Sequence, residues 1–367
     1  MNTLITFRDT WALWAALFGC AAFGLWIERT PWAGRLPGAA FTLVLAFLLS
    51  NFGIIPSAAP VYKTVWFYLV PLAIPLLLFN ANVQRIPRDS QFILMAFVIG
   101  AVGTVVGAVV ASFLVPLGKS AWQMAAVFSA AFIGGPMNFM ATARAVGLSG
   151  PNQFVGLAAI DLMMMVYFLF MFALPILWNM RFSSSDPVSD RGGGASINLL
   201  SMALALALSA AICVAGFFIE ARFGWKGSAI LIIAAITVGL AAALPRMTAM
   251  LQGANELGVL LMLVFFATIG ASANIGVVFK GRPTLLLFAA VILVVHLAVL
   301  LAAGKYLKIS LSQLIIASNA GVGDSTTAAA MAAVRRWYQY VPAAILCGTL
   351  GYASATFIGV RVGKFLH

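Results

Sequence analysis

Twelve apolar runs, with most of the charge confined to the short stretches between them, decide what this chain can fold into. They fall at roughly 11–28, 37–55, 64–82, 91–116, 121–145 and 152–179 in the first half. In the second half they fall at roughly 196–220, 228–245, 256–277, 284–304, 309–333 and 338–361. Backbone N–H and C=O groups in hydrocarbon must be paired within the protein, which leaves helices or a closed barrel. The apolar/polar alternation of a barrel strand is missing. The 367 residues are 63% hydrophobic and only 8% charged, against about 25% charged in a soluble domain. The expected fold is therefore an all-α integral membrane protein whose first partner is the lipid bilayer.

The formal charge of +12 does not point to nucleic acid. Lys and Arg lie mainly in the loops, where they anchor helices at headgroups. Cys20, Cys213 and Cys347 lie inside apolar runs without CxxC spacing, so neither a metal framework nor a redox pair is expected. Arg8 and Asp9 precede the first run without a basic leader or a small-residue cleavage site, and that run reads as a retained span.

The two halves repeat each other. Ala131-Phe-Ile-Gly-Gly-Pro-Met-Asn138-Phe-Met-Ala-Thr-Ala returns as Ala317-Ser-Asn-Ala-Gly-Val-Gly-Asp324-Ser-Thr-Thr-Ala-Ala. Gly118-Lys119 matches Gly304-Lys305, Asn138 matches Asp324 and Gln153 matches Gln339, each pair 186 residues apart (304 − 118 = 186). Ile27-Glu28 matches Ile219-Glu220, and Asn82 matches Asn274, at a spacing of 192. The strongly hydrophilic stretch from Arg181 to Gly194 separates the copies. The expected organisation is a first repeat at 1–180, a linker at 181–195 and a second repeat at 196–367.

Orientation depends on parity. Six full crossings per half would make the repeats parallel. If each Gly-broken run dips in and returns, each half crosses five times, and the repeats are inverted. Loop charge is nearly balanced under either scheme and does not decide. The Gly-rich breaks favour inversion, with about ten full spans and two re-entrant segments, since a duplicated broken helix is the sequence mark of a transporter site.

Leu77-Leu-Phe-Asn-Ala-Asn82, Ile133-Gly-Gly-Pro-Met-Asn138-Phe and Asn319-Ala-Gly-Val-Gly-Asp324 resemble the family known as domain of unknown function 819, over nearly the whole chain. More distantly the plan is similar to sodium/proton antiporters, bile-acid symporters and the glutamate and citrate sodium symporters. That resemblance implies inverted repeats, a scaffold domain, a mobile core, a bacterial inner membrane and a homodimer formed through the scaffold. Ala158-Ala-Ile-Asp161-Leu resembles the antiporter helix that carries an ion-binding aspartate pair. Here Ile160 takes one of the two places, and Cys347 stands at the repeat-equivalent position of Asp161.

Asp161 and Asp324 are the expected coupling residues. A carboxylate at the membrane centre costs about 2.5–3.5 kcal/mol and is rarely placed there without use. Helix packing is the plainer reading of Asp161, and an N-cap that of Asp324. Asn138, Ser325 and Thr326 complete an expected ion site, with a possible Na⁺ held by Asp161, Asn138 and Asp324 and no other metal or cofactor. Gly134, Gly135, Gly321 and Gly323 would let backbone approach a solute, Asn138 and Asp324 would touch it, and half-helix N-termini would face an anion. Asn80, Asn82, Ser272 and Asn274 line an access path or cap helix ends. His296 is a proton carrier or a packing hydrogen bond, and Arg144 meets a carboxylate or snorkels. Met163, Met164 and Met165 read as adaptable packing.

The leading function is a secondary active symporter for a small organic anion, driven by Na⁺ or H⁺. A monovalent cation/proton antiporter is the alternative. A membrane sensor or intramembrane enzyme, joining Ser325 and His296, is the minor one. GxxxxGK[ST], HExxH and GxSxG are all absent from the sequence, and the chain is expected not to be an enzyme.

Overall fold

The computed structural model describes residues 3–31, 36–79, 86–177, 198–225 and 227–367. The described residues form an all-helical bundle. The first half contains α1 (Thr10–Glu28), α2 (Gly38–Asn51), α3 (Pro60–Leu78, through a π turn at Val65–Leu69) and α4 (Ile86–Leu114). The first broken run follows as α5 (Ala121–Gly134) and α6 (Pro136–Ala145), then α7 (Pro151–Leu177). The second half repeats the order: α8 (Leu199–Phe223), α9 (Ala229–Ala243), α10 (Ala254–Ser272) and α11 (Thr284–Leu307). Its broken run is α12 (Leu311–Val322) and α13 (Ser325–Val334), and α14 (Val341–Leu366) ends the chain. The linker expected at 181–195 lies outside the described residues, as do Asn80 and Asn82.

Both broken runs are hairpins that return to the side they entered. Gln123, at the start of α5, donates to the carbonyl of Val146, just past α6, at 2.9 Å. Phe128 of α5 meets Phe139 of α6 edge to face. In the second hairpin Ser312, at the start of α12, faces the Tyr340 hydroxyl at 3.5 Å, beyond α13. Asn319 of α12 donates to the sulfur of Met331 in α13. A single continuous crossing could not bring these ends together.

The hairpins enter from opposite sides, as α14 shows. The ring of Trp122, at the start of α5, lies 4.6 Å from that of His367, and Gly363 packs on Ala126. Moving back along α14, Gly359 meets Ala126 and Ala130, then Gly351 meets Ile133 and Gly134 at the first tip. Gly348 then meets Ser325 at the second tip, and Tyr340 lies beside the base of α12. One helix thus runs from the base of the second hairpin, past both tips, to the base of the first. Among the described residues the two halves repeat one helix order with their hairpins entering from opposite sides, the arrangement of inverted repeats.

Among the described residues, eight helices are long and apolar enough to cross a bilayer. The expected spans at 37–55 and 228–245 are shorter, with 14 residues in α2 and 15 in α9. At about 1.5 Å per residue neither helix alone fills a hydrocarbon core of about 30 Å. The apolar runs there include non-helical ends. Gly53 turns the chain at φ 75° after α2, and Pro245 follows α9. Both short helices belong to one repeat position, so the shortening is itself duplicated.

The halves interleave. α4 and α11 cross where Gly100, Gly103 and Gly107 face Ile292 and His296, so backbone meets backbone there. Small residues at such crossings allow van der Waals contact that lipid-facing apolar groups cannot supply. The outward faces carry Phe113, Val214, Phe218, Val294 and Phe357, all exposed and apolar, as a lipid-facing surface requires.

Candidate functional site

The tips of the two hairpins touch. Gly135 ends α5 at φ 85°, ψ 175°, a region open to glycine and nearly closed to other residues. A methyl group on Gly135 would lie 2.4 Å from the Gly323 carbonyl oxygen and 3.1 Å from Asp324 Cβ. One on Gly348 of α14 would lie 2.2 Å from the Ser325 nitrogen, and one on Gly351 2.3 Å from the Ile133 oxygen. Gly321 lies over the Phe132 carbonyl. The duplicated glycines therefore bring three backbones together, and only glycine leaves room.

The tips differ in chemistry. Asp324 is extended, φ −177°, and caps α13. Its Oδ1 accepts from the N–H groups of Thr326 and Thr327 at 2.8 Å and from the Thr326 hydroxyl at 2.5 Å. The Asp324 N–H in turn donates to the Thr327 hydroxyl at 2.8 Å, completing a capping box. α6 starts with Pro136 and has no side-chain cap. Both half-helix N-termini were expected to face an anion. At α13 Asp324 takes up the N–H groups of Thr326 and Thr327, whereas at α6 Pro136 has no N–H and that of Asn138 bonds the Gly135 carbonyl.

Asn138 is buried, and its side chain is committed within the protein. Its amide donates to the Gly134 carbonyl, and its Oδ1 accepts from Thr356 of α14, each at 2.7 Å. The residue pins the first tip to α14. Its backbone is beside Asp324 through Gly134 and Gly135, but the side chain turns away towards α14. Ser325 is half-buried against Gly348, next to the tip contact.

Asp161 lies on α7 at the height of both tips. Gly156 of α7 packs on Phe139, four residues past Gly135, and Tyr167 bonds Ser318, five residues before Gly323. At about 1.5 Å per helical residue both references place the tips level with residues 160–162 of α7. Asp161 is half-buried there, and among the described residues it makes no hydrogen bond or ion pair. Its repeat mate Cys347 is buried beside the Gly348 contact.

The other candidates fall elsewhere. Asn274 caps the short helix Ile275–Gly281, accepting from Val277 N–H at 3.1 Å, at the end of α2 and α10. Asn51 binds the backbone on either side of it. It is a helix cap and the structure does not bring it to the tips. Ser272 donates to the Thr268 carbonyl. Arg144 is exposed at a helix end, and Met164 and Met165 are buried packing residues.

His296 is fully engaged. One ring nitrogen lies 2.8 Å from both the Gly100 carbonyl and Thr104 Oγ1, and the other lies 2.8 Å from Ser318 Oγ. Ser318 in turn meets the Tyr167 hydroxyl at 2.5 Å. A carbonyl can only accept, so Nδ1 carries the proton and, in the neutral ring, Nε2 accepts from Ser318. Both nitrogens are thus committed away from Ser325, which removes the basis for a Ser325–His296 pair. The network ties the second hairpin to α4, α7 and α11. His296→Phe would take one hydrogen bond each from Ser318 and Gly100, which keep Tyr167 and Thr104 as partners, at about 1 kcal/mol per bond. The expected result is a clear fall in thermal midpoint for the Phe variant and a much smaller one for His296→Gln, read by tryptophan fluorescence.

Sequence reasoning missed Thr356, Ser318, Tyr167, and the α14 glycines at 348 and 351. Gly348 and Gly351 carry the spacing of a packing stripe but no polar mark. Ser318 stands in the second break beside Asn319, a position at which the first copy has Phe132.

Comparison with known proteins agrees with a membrane protein. The family described as "Protein of unknown function (DUF819)" matches residues 15–367. A relative named "Uncharacterized membrane protein YjcL", from Bacillus subtilis (strain 168), is 35% identical over 396 residues, covering 100% of this chain and 99% of its own. The chain is a multi-pass bacterial membrane protein and belongs to the DUF819 family.

Proposed function

We propose that the protein is a secondary active transporter, a symporter that couples the entry of a small organic anion to Na⁺ or H⁺. One observation carries the reading. Two re-entrant tips from opposite sides meet, one holding a carboxylate with no cationic partner among the described residues, the other an uncapped helix start. Asp324 suits a cation, and the N-terminus of α6, with its partial positive charge, suits an anion. A cation that neutralises Asp324 favours anion binding beside it, and linkage makes the preference mutual. Alternating access then moves the hairpins and their packed helices as a core against a scaffold, in an inner membrane and as a homodimer. The reading is of a carrier, not an enzyme.

Asp161 favours one second reading. A half-buried carboxylate at tip height, without partners among the described residues, also suits a cation/proton antiporter. Proteoliposomes separate the two. Under an imposed Na⁺ or H⁺ gradient, the symporter accumulates a member of a panel of labelled carboxylates, amino acids and sugar acids. Cation-driven proton flux without any organic solute would favour the antiporter. Neither flux, in protein shown to be folded and inserted, would end the transporter reading.

A further inference from the structure

Asn319 lies in the last turn of α12, one turn before the second tip, and is 0% exposed. Its Oδ1 has no hydrogen-bond partner, and its amide reaches only the sulfur of Met331, at 3.2 Å. The amide nitrogen faces the sulfur, which leaves the oxygen as the unpaired end. A buried amide costs free energy unless it is bonded, and a membrane interior offers no stray water to relieve it. The side chain points into the tip, where a methyl on Gly323 would lie 2.9 Å from Oδ1.

The second tip also gathers the oxygen atoms at the end of α12. The last carbonyls of a helix have no intrahelical donor, and of these only that of Asn319 takes the Gly323 N–H. The C-terminal end of α12 carries partial negative charge. Asp324 follows, with Oδ1 occupied by its cap and no cationic side chain paired to it among the described residues. Hard monovalent cations take oxygen ligands of this kind, carboxylate, amide and backbone carbonyl together. The first tip has no counterpart, since Ile133 stands where the repeat places Asn319.

We infer that the second hairpin holds a Na⁺ site in which Asn319 Oδ1 is a ligand, alongside Asp324 and the free carbonyls at the end of α12. This rests on the transporter reading only for its use; the binding itself does not depend on a transported anion. It also separates the tips by task, with the cation at the second and the anion at the first.

The test is binding by purified full-length protein in detergent, without organic solute. Thermal midpoints are followed during titration with NaCl, with KCl or choline chloride holding ionic strength constant. The wild type is expected to show a Na⁺-specific, saturable rise. Asn319→Leu removes the orphaned oxygen and keeps the bulk. It is expected to be at least as stable as wild type in choline and to need at least about tenfold more Na⁺, the loss of one ligand being worth a factor of about ten. Asn319→Ala repeats the test should the Leu variant not fold. No Na⁺-specific rise in the wild type, as expected were Asn319 met by water alone, overturns the site. So does an unchanged Na⁺ response in the variants. Na⁺ binding without anion uptake in proteoliposomes would retire the symporter and leave the site standing. Uptake driven by a proton gradient alone, with no Na⁺ response, would do the reverse.

Discussion

Gly135→Ala is expected to abolish transport and to cost about 2–4 kcal/mol of stability, combining a glycine-only backbone with a steric clash. Both terms are visible. The residue lies at φ 85°, ψ 175°, and its new methyl would stand 2.4 Å from the Gly323 oxygen. The obstacle is backbone on both sides, so no rotamer change relieves it. Gly147 is the control. It also has positive φ, 68°, but nothing lies within 4 Å of a methyl placed there. Gly147→Ala should cost about 1 kcal/mol, the left-handed penalty alone, and leave uptake intact. Denaturation midpoints and uptake in proteoliposomes measure both. Equal losses in the two variants would mean that contact between the tips has no part in transport.

Asp324 gives the second large effect, because its two roles can be separated. Asparagine caps helices about as well as aspartate, and Asp324→Asn keeps an acceptor for Thr326 and Thr327. Its stability should change by less than about 0.5 kcal/mol while uptake falls to background. Asp324→Ala removes the cap as well and should cost about 1–2 kcal/mol more. Transport by the Asn variant at the wild-type rate would show that the charge is unused and that Asp324 is only a cap.

The fold was legible where the sequence wrote it twice. Gly135 and Gly323 stand at matched breaks, and the matched breaks do meet. Parity was legible only through the Gly-rich breaks, because re-entrance depends on contacts such as Gln123 with Val146, which leave no mark in hydropathy. The short α2 and α9 were overextended for a related reason, since an apolar run does not show where helix gives way to loop. Asn274 looked like a site residue because polar caps and polar ligands share a composition. Asp324 was readable as both cap and ion residue, and the cap is what its geometry displays. Asn319 was in plain view in the second motif, but its missing partner is a property of packing, which no spacing reveals. Thr356 likewise became relevant only once α14 was seen to run alongside the first hairpin.

The meeting of Gly135 with Gly323 also has a consequence for biogenesis. The two residues are 188 positions apart (323 − 135 = 188), and the helix that supports both follows them at the end of the chain. During synthesis the first hairpin must enter the bilayer without its partner, holding an uncapped helix start and a glycine-only turn that nothing yet covers. Contacts so distant in sequence form late, after the cost of closing the intervening chain. A chain ended before Val341 would carry both hairpins and still lack the helix on which their tips rest. Two separately encoded halves, inserted into one membrane, would be the simplest demonstration that assembly at this junction is the last step in making the protein.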